Sequence, residues 1–301
     1  MQDPVSKQKF STLFLNFEEK SLDEVHSLKD GEEIWVCFAP ICTYHEFPPY
    51  KYFLEKFAEF THSKTIAIDI HGLGKSSRLN LKQSLDLARE SNFLKVLDPI
   101  FSSLESINAK KVNIYGYSMG GRLAGASVMP AKTHDIDIER MILVEPGGVT
   151  KLEHIFGIMG LLNEGRFIDM YDRFIINQKQ RDAMMLTSSL AERLGSLTVE
   201  YLKPFKGRYE NLLLFAASLQ SATLERDMLL SLENSNGLKV NIISGERSGI
   251  SRNDDIRKLL SNIESMGLST FNKLRWILLE GDSHIVGFDT ARLIDAFRFL
   301  I

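Results

Sequence analysis

Acyl transfer by a protein side chain needs a hydroxyl or thiol nucleophile, an imidazole to take its proton and a carboxylate to orient that imidazole. The stretch VNIYGYSMGGRLAGASVM (112–129) offers the first of these. Ser118 sits in Gly116-Tyr117-Ser118-Met119-Gly120, between a β-branched run and a run of small residues. A Gly-x-Ser-x-Gly at such a junction has a mechanical logic. The serine occupies a sharp, strained turn that lifts its hydroxyl above the C-terminal edge of a sheet, and the glycines relieve the crowding. The first amides of a following helix point to the same spot and favour a developing oxyanion. Alone, the pattern also describes a polar residue in a tight turn, so a base, an acid and an oxyanion site must come from elsewhere.

The elements around Ser118 are those the chemistry requires. EIWVCFAP (33–40), KTIAIDI (64–70), KVNIYGYS (111–118), RMILVEP (140–146), KVNIISG (239–245) and LRWILLEG (274–281) are short apolar runs ended by turn residues and read as buried strands. YKYFLEKFAEFTH and LKQSLDLARESNFLKVLDPIFSSL each read as a helix, and a further helix is expected from about Met119. Alternating strands and helices predict an α/β protein with a mostly parallel sheet covered on both faces. From about Val149 to Asn236 no strand pattern appears, and three helical stretches rich in Met and Leu fill the interval. That length exceeds an ordinary crossover and predicts a helical cap over residues 149–236, inserted into a core of residues 1–148 and 237–301.

Composition narrows the classes. The 301 residues are 44% hydrophobic and 25% charged with a net charge of -3, and the charges are interspersed, which leaves no electrostatic footprint for nucleic acid or an anionic membrane. No stretch reaches the roughly 20 apolar residues of a membrane span. Cys37 and Cys42 lie along one strand and its loop, a poor geometry for a disulfide, and no Cys/His cluster has zinc spacing. The N-terminal MQDPVSKQKF lacks an apolar signal region, so a cytoplasmic location is expected.

Three motifs together resemble the α/β-hydrolase fold family, in its capped branch of esterases, lipases and lactonases. They are the elbow GYSMGG, the loop IAIDIHGLGKSS (66–77), similar to the family's Asp-x-x-Gly-x-Gly-x-Ser loop, and LLEGDSHIVGF (278–288), similar to its histidine loop. The resemblance covers about residues 30 to 301 and places the cap between the family's sixth and seventh core strands. HGLGKSS is not a phosphate loop. Asp69 stands where a Walker A sequence needs its first glycine, and Ser77 where a dinucleotide motif needs its third.

The base is expected to be His284, which a loop after the last strand can hang over Ser118. For the oxyanion site, Pro40 has no N–H, so the donors are expected to be the backbone amides of Met119 and Ile41. Tyr117, Cys42 and His45 are expected to line the substrate pocket. The acid departs from the pattern. The family places an Asp three residues after the glycine that ends its seventh strand, and here Gly245-Glu246-Arg247-Ser248 puts a serine in that slot. Some relatives carry the acid after the sixth strand instead, where this chain has Glu145. Glu246, Asp254, Asp255 and a Ser-His dyad without an acid stay open beside Glu145.

The resemblance implies hydrolysis of an ester, thioester or lactone through an acyl-enzyme, with no cofactor and no metal. The Met-rich cap suits a flexible acyl chain, and the kinship to capped lactonases suggests an N-acyl homoserine lactone. A C–C bond hydrolase of the same fold, using Arg166, Arg173 or Arg193 in the cap to hold a carboxylate, is one alternative. A non-catalytic binding or signalling module that retains the fold is another. The expected partner is a small acyl substrate, and a homodimer contact through an exposed cap face stays open.

Overall fold

The computed structural model describes residues 11–16, 18–20, 27–29, 31–40, 43–70, 76–77, 79–90, 93–149, 223–235, 237–266 and 274–301. Most of the expected cap, residues 150–222, lies outside them, as do Ile41, Cys42 and residues 71–75.

All six expected strands form, as β3 (Ile34–Phe38), β4 (Lys64–Asp69), β5 (Lys111–Tyr117), β6 (Asp137–Val144), β7 (Lys239–Gly245) and β8 (Leu274–Leu279). They are parallel throughout, in the order β4-β3-β5-β6-β7-β8. Two strands that the sequence does not betray, β1 (Ser11–Asn16) and β2 (Glu18–Lys20), extend the sheet antiparallel beyond β4. STLFLN is short and has no Gly or Pro beside it to mark it off, so no strand signal stands out.

Alternation along the strands builds two cores, one on each face. Ile34, Val36, Phe38, Val112, Ile114, Met141, Leu143, Val240 and Ile242 face one way. They are covered by α3 (Leu94–Ser106), α4 (Met119–Gly125), α5 (Val128–Thr133), α6 (Thr223–Glu233) and α7 (Asn253–Ser265). Trp35, Cys37, Tyr115, Tyr117, Ile142 and Val144 face the other way, under α1 (Pro48–Thr61) and α8 (Thr290–Phe297). Phe53, Phe57, Tyr115 and Phe297 form an aromatic cluster there, with ring centroids 4.8 to 6.3 Å apart.

One helix expected over residues 81–104 is two, α2 (Leu81–Glu90) and α3. Phe93 caps α3 with φ -83° and ψ 2°, and its ring is buried in the core beneath the Arg122 guanidinium, 5.0 Å away. Burying that aromatic outweighs the continuous helical pattern around it. The C-terminal part of the stretch read as cap also forms α6, which sits on the core. Leu224, Met228 and Leu232 join the first cluster, and the Ser231 hydroxyl donates to the Gly125 carbonyl at 3.0 Å.

The strand register sets where the loops emerge. Tyr117 pairs with Val144, Val144 with Ile243, and Gly245 with Leu279. The chain therefore leaves β5, β6, β7 and β8 at one height, on the edge where open parallel sheets collect their functional loops.

Two interactions away from that edge give tests. The fully buried Arg122 of α4 reaches Asp227 of α6 at 2.5 Å. Burial lowers the guanidinium pKa and the Asp227 charge works against that. Asp227→Asn removes the charge opposite a buried cation and should cost about 3–5 kcal/mol in urea unfolding, whereas an Arg122→Met/Asp227→Leu pair should cost less. His134, after α5, lies 2.8 Å from Glu105 and 3.1 Å from Asp98 of α3. Burial disfavours its charged form, but these hydrogen bonds outweigh it and raise the imidazole pKa above its usual value. The stability that His134 adds over His134→Gln is then complete below a pH of about 6.5 and lost as pH rises through the raised value. Because both carboxylates are half exposed, at 50% and 47%, the difference should not exceed about 1 kcal/mol in pH-dependent urea titrations.

Candidate active site

Ser118 stands between the last residue of β5 and the first of α4 with φ 56° and ψ -115°. For a side chain with a Cβ this is a strained conformation, and it persists only where neighbours impose it. The Ser118 amide donates to the Val144 carbonyl at 2.9 Å, and its carbonyl accepts from Gly147 at 2.9 Å and Arg122 at 3.1 Å. The end of β6 and the first turn of α4 thus hold the turn from both sides. The glycines are needed for close approach: a Cβ on Gly116 would strike the Gly120 carbonyl, and one on Gly120 the Phe38 carbonyl.

His284 opens a short 3-10 turn (His284–Phe288) that comes after β8, and only 3% of it is exposed. Its Nε2 lies 3.0 Å from Ser118 Oγ. Tyr117, one residue before the serine, donates its hydroxyl to the His284 carbonyl at 2.8 Å. The elbow therefore grips the backbone of the histidine loop as well as meeting its ring. Asp282, two residues before the histidine, is tied to Arg292 of α8 at 3.0 Å.

Glu145, the first residue beyond β6, has φ 48° and is completely buried. Its amide donates to the Ile243 carbonyl at 2.8 Å, which continues the β6–β7 ladder by one step. Its Oε2 lies 3.2 Å from His284 Nδ1 and accepts the Ser248 hydroxyl at 2.5 Å, while Oε1 accepts the Gly245 amide. A carboxylate can only accept, so Nδ1 carries the proton toward it and Nε2 is left as the acceptor for the Ser118 hydroxyl. Ser118, His284 and Glu145 form one hydrogen-bonded line from three loops on the same edge of the sheet.

The other candidate carboxylates point elsewhere. Glu246 is exposed and accepts the Gly281 amide at 2.9 Å. Asp254 is 90% exposed and paired with Arg257, and Asp255 lies beside it in the first turn of α7, where negative charge suits the helix start. Ser248, in the slot where the family pattern places an aspartate, instead serves Glu145. The sequence shows the serine in that slot, but its link to Glu145 requires the fold.

The remaining expected residues that are described are all buried. The Met119 amide begins α4 directly after Ser118. Tyr117, expected to line the pocket, is buried beneath the histidine loop in the second core. His45 is buried in the loop after β3, with its amide 2.7 Å and its Nδ1 2.8 Å from the two oxygens of Asp69. Ile41 and Cys42 lie outside the described residues. Cys37 is a buried free thiol whose pKa burial raises well above the ordinary range, which leaves it inert as a nucleophile. Among the described residues no group of three His, Cys, Asp or Glu is arranged to hold a metal ion, and no helix is long and apolar enough to cross a membrane.

Tyr117→Phe removes a donor to the buried His284 carbonyl. It should lower the unfolding free energy by about 1–3 kcal/mol and speed amide exchange over residues 284–288 ahead of the rest of the sheet, as read by hydrogen exchange.

No family model and no curated protein sequence matches the chain. Solved structures do. An α/β-hydrolase enzyme from a Medee basin deep-sea metagenome library is similar with a TM-score of 0.60 at 14% identity, over 97% of this chain and 95% of the other. A carboxylesterase structure from the thaumarchaeon Nitrososphaera gargenis gives 0.54 at 14% identity over 100% and 96%. The enol-lactonase from Burkholderia xenovorans LB400 gives 0.54 at 15% identity over 99% and 96%. Likeness at such low identity is a likeness of architecture. It agrees with the strand order, the register and the elbow: the chain has the α/β-hydrolase fold.

Proposed function

We propose that this protein is a serine hydrolase of carboxylic esters or lactones that carry an apolar acyl chain. The single observation behind this reading is the hydrogen-bonded line Ser118–His284–Glu145, 3.0 and 3.2 Å between partners, mounted on a strained elbow. Ser118 Oγ attacks the acyl carbonyl as His284 Nε2 takes its proton, and Glu145 holds the imidazole in place and balances the charge it gains. The tetrahedral oxygen is stabilised by the Met119 amide, with Ile41 as the expected second donor. His284 then protonates the leaving alcohol, and a water activated by the same imidazole releases the acid from Ser118.

The expected cap, residues 149–236, supplies Phe156, Met159, Met170, Met184 and Met185 as apolar candidates to receive the acyl chain, while its last helix, α6, belongs to the core packing. An N-acyl homoserine lactone fits that reading as substrate. A cytoplasmic enzyme without cofactor or metal is the corresponding cellular picture.

The test is labelling with a fluorophosphonate probe, with the modified residue located by mass spectrometry, beside hydrolysis of p-nitrophenyl esters of increasing chain length and of acyl homoserine lactones. Labelling at Ser118 that is absent in Ser118→Ala and His284→Ala is expected, and Glu145→Gln should lose about 10^4-fold in turnover. A folded wild type that resists the probe and cleaves none of these substrates would overturn the proposal.

A further inference from the structure

We propose that Ser248 is a positioning residue of this site, acting through Glu145 by fixing the plane and direction of its carboxylate; the inference rests on the hydrolase reading. A carboxylate held through one oxygen can turn about its last bond. Here Oε1 is held by the Gly245 amide and Oε2 by the Ser248 hydroxyl, so both oxygens are pinned before His284 is reached. The hydroxyl has no freedom to point elsewhere. Its oxygen accepts the Ser251 amide at 3.0 Å, which turns the proton toward Glu145. Ser251 in turn donates its own hydroxyl to the Pro146 carbonyl at 2.8 Å, one residue after the acid. Glu145, Ser248, Ser251 and Pro146 close a ring that locks the loop after β7 onto the end of β6.

Without that second donor, Oε2 would be constrained only by the imidazole it is meant to orient. The loop has other ties besides the Ser248 side chain: backbone bonds from Ser248 to Gly245 at 3.2 Å and from Arg247 to Asp282 at 2.8 Å, and the Ser251 hydroxyl to the Pro146 carbonyl. Removing the hydroxyl takes a donor from the carboxylate and an acceptor from the Ser251 amide, which is why thermal unfolding and the Ser251 variant accompany the rate measurement.

The experiment measures the saturating rate and the apparent affinity of fluorophosphonate labelling at Ser118 in the full chain, with thermal unfolding recorded for each variant. Ser248→Ala should slow the saturating rate by about tenfold to a hundredfold, the scale on which small misplacements act in preorganised sites, with affinity unchanged. Ser248→Thr should restore the rate and Ser248→Cys, a weaker donor, should fall between. Ser251→Ala serves as the structural control: it cuts the bond to Pro146 but keeps the Ser248 hydroxyl, and should retain the rate even where its melting temperature falls as far as that of Ser248→Ala.

A wild-type rate in Ser248→Ala, a loss confined to affinity, or rates that track melting temperature across the series would overturn the inference while leaving the nucleophile intact. A wild type that does not label at Ser118 would instead remove the hydrolase reading, and the role of Ser248 with it.

Discussion

A carboxylate taken out of water must find donors or it destabilises the fold that buries it, and Glu145 is completely buried. Its position explains how those donors are found. Because β6 and β7 are neighbours in register up to Val144 and Ile243, the residue after β6 projects beside the turn that leaves β7. There the Gly245 amide and the Ser248 hydroxyl are already oriented, and the histidine loop after β8 arrives from the next strand. Glu145 therefore couples three consecutive strand ends, and the geometry of the candidate site is inherited from the order of the sheet.

Backbone strain is concentrated in the same place. Among the described residues, the non-glycine positions with positive φ are His62, Asn108, Asp135, Ser118 and Glu145. The first three are residue types that tolerate the left-handed region. Ser118 and Glu145 are not, and they are the two residues that meet His284 from opposite sides. Each is held by hydrogen bonds to an adjacent strand, Ser118 to Val144 and Glu145 to Ile243. The sheet thus imposes both conformations and so sets both side chains in advance of any substrate.

Much of this is legible from residue order, and for physical reasons. The inner strands β3, β5 and β7 are buried almost throughout and read as largely apolar runs, while β8 at the edge keeps Arg275 exposed and still reads as a strand from its remaining apolar residues. The elbow and the histidine loop announce themselves because close packing restricts the types allowed, as Gly116 and Gly120 show. The acid is less legible. A carboxylate after an apolar strand has no local signature, and only the register distinguishes Glu145 from Glu246, whose side chain turns outward to the Gly281 amide. Ser248 reads as a departure from a pattern, yet its contact with Glu145 spans 103 residues and belongs to no motif. The division of one expected helix at Phe93 is hidden for a similar reason, since it depends on burial against Arg122 of α4.

The pairing of Glu145 with His284 Nδ1 is the link on which the site depends, and proton NMR of the resting protein tests it most directly. A buried imidazole N–H that donates to a carboxylate should give a resonance downfield of the amide envelope. We expect one that disappears in His284→Ala, is retained in Ser118→Ala, and moves upfield or is lost in Glu145→Gln. An unchanged signal in Glu145→Gln would mean that another group receives the Nδ1 proton, and the site would then be assembled differently from the one described.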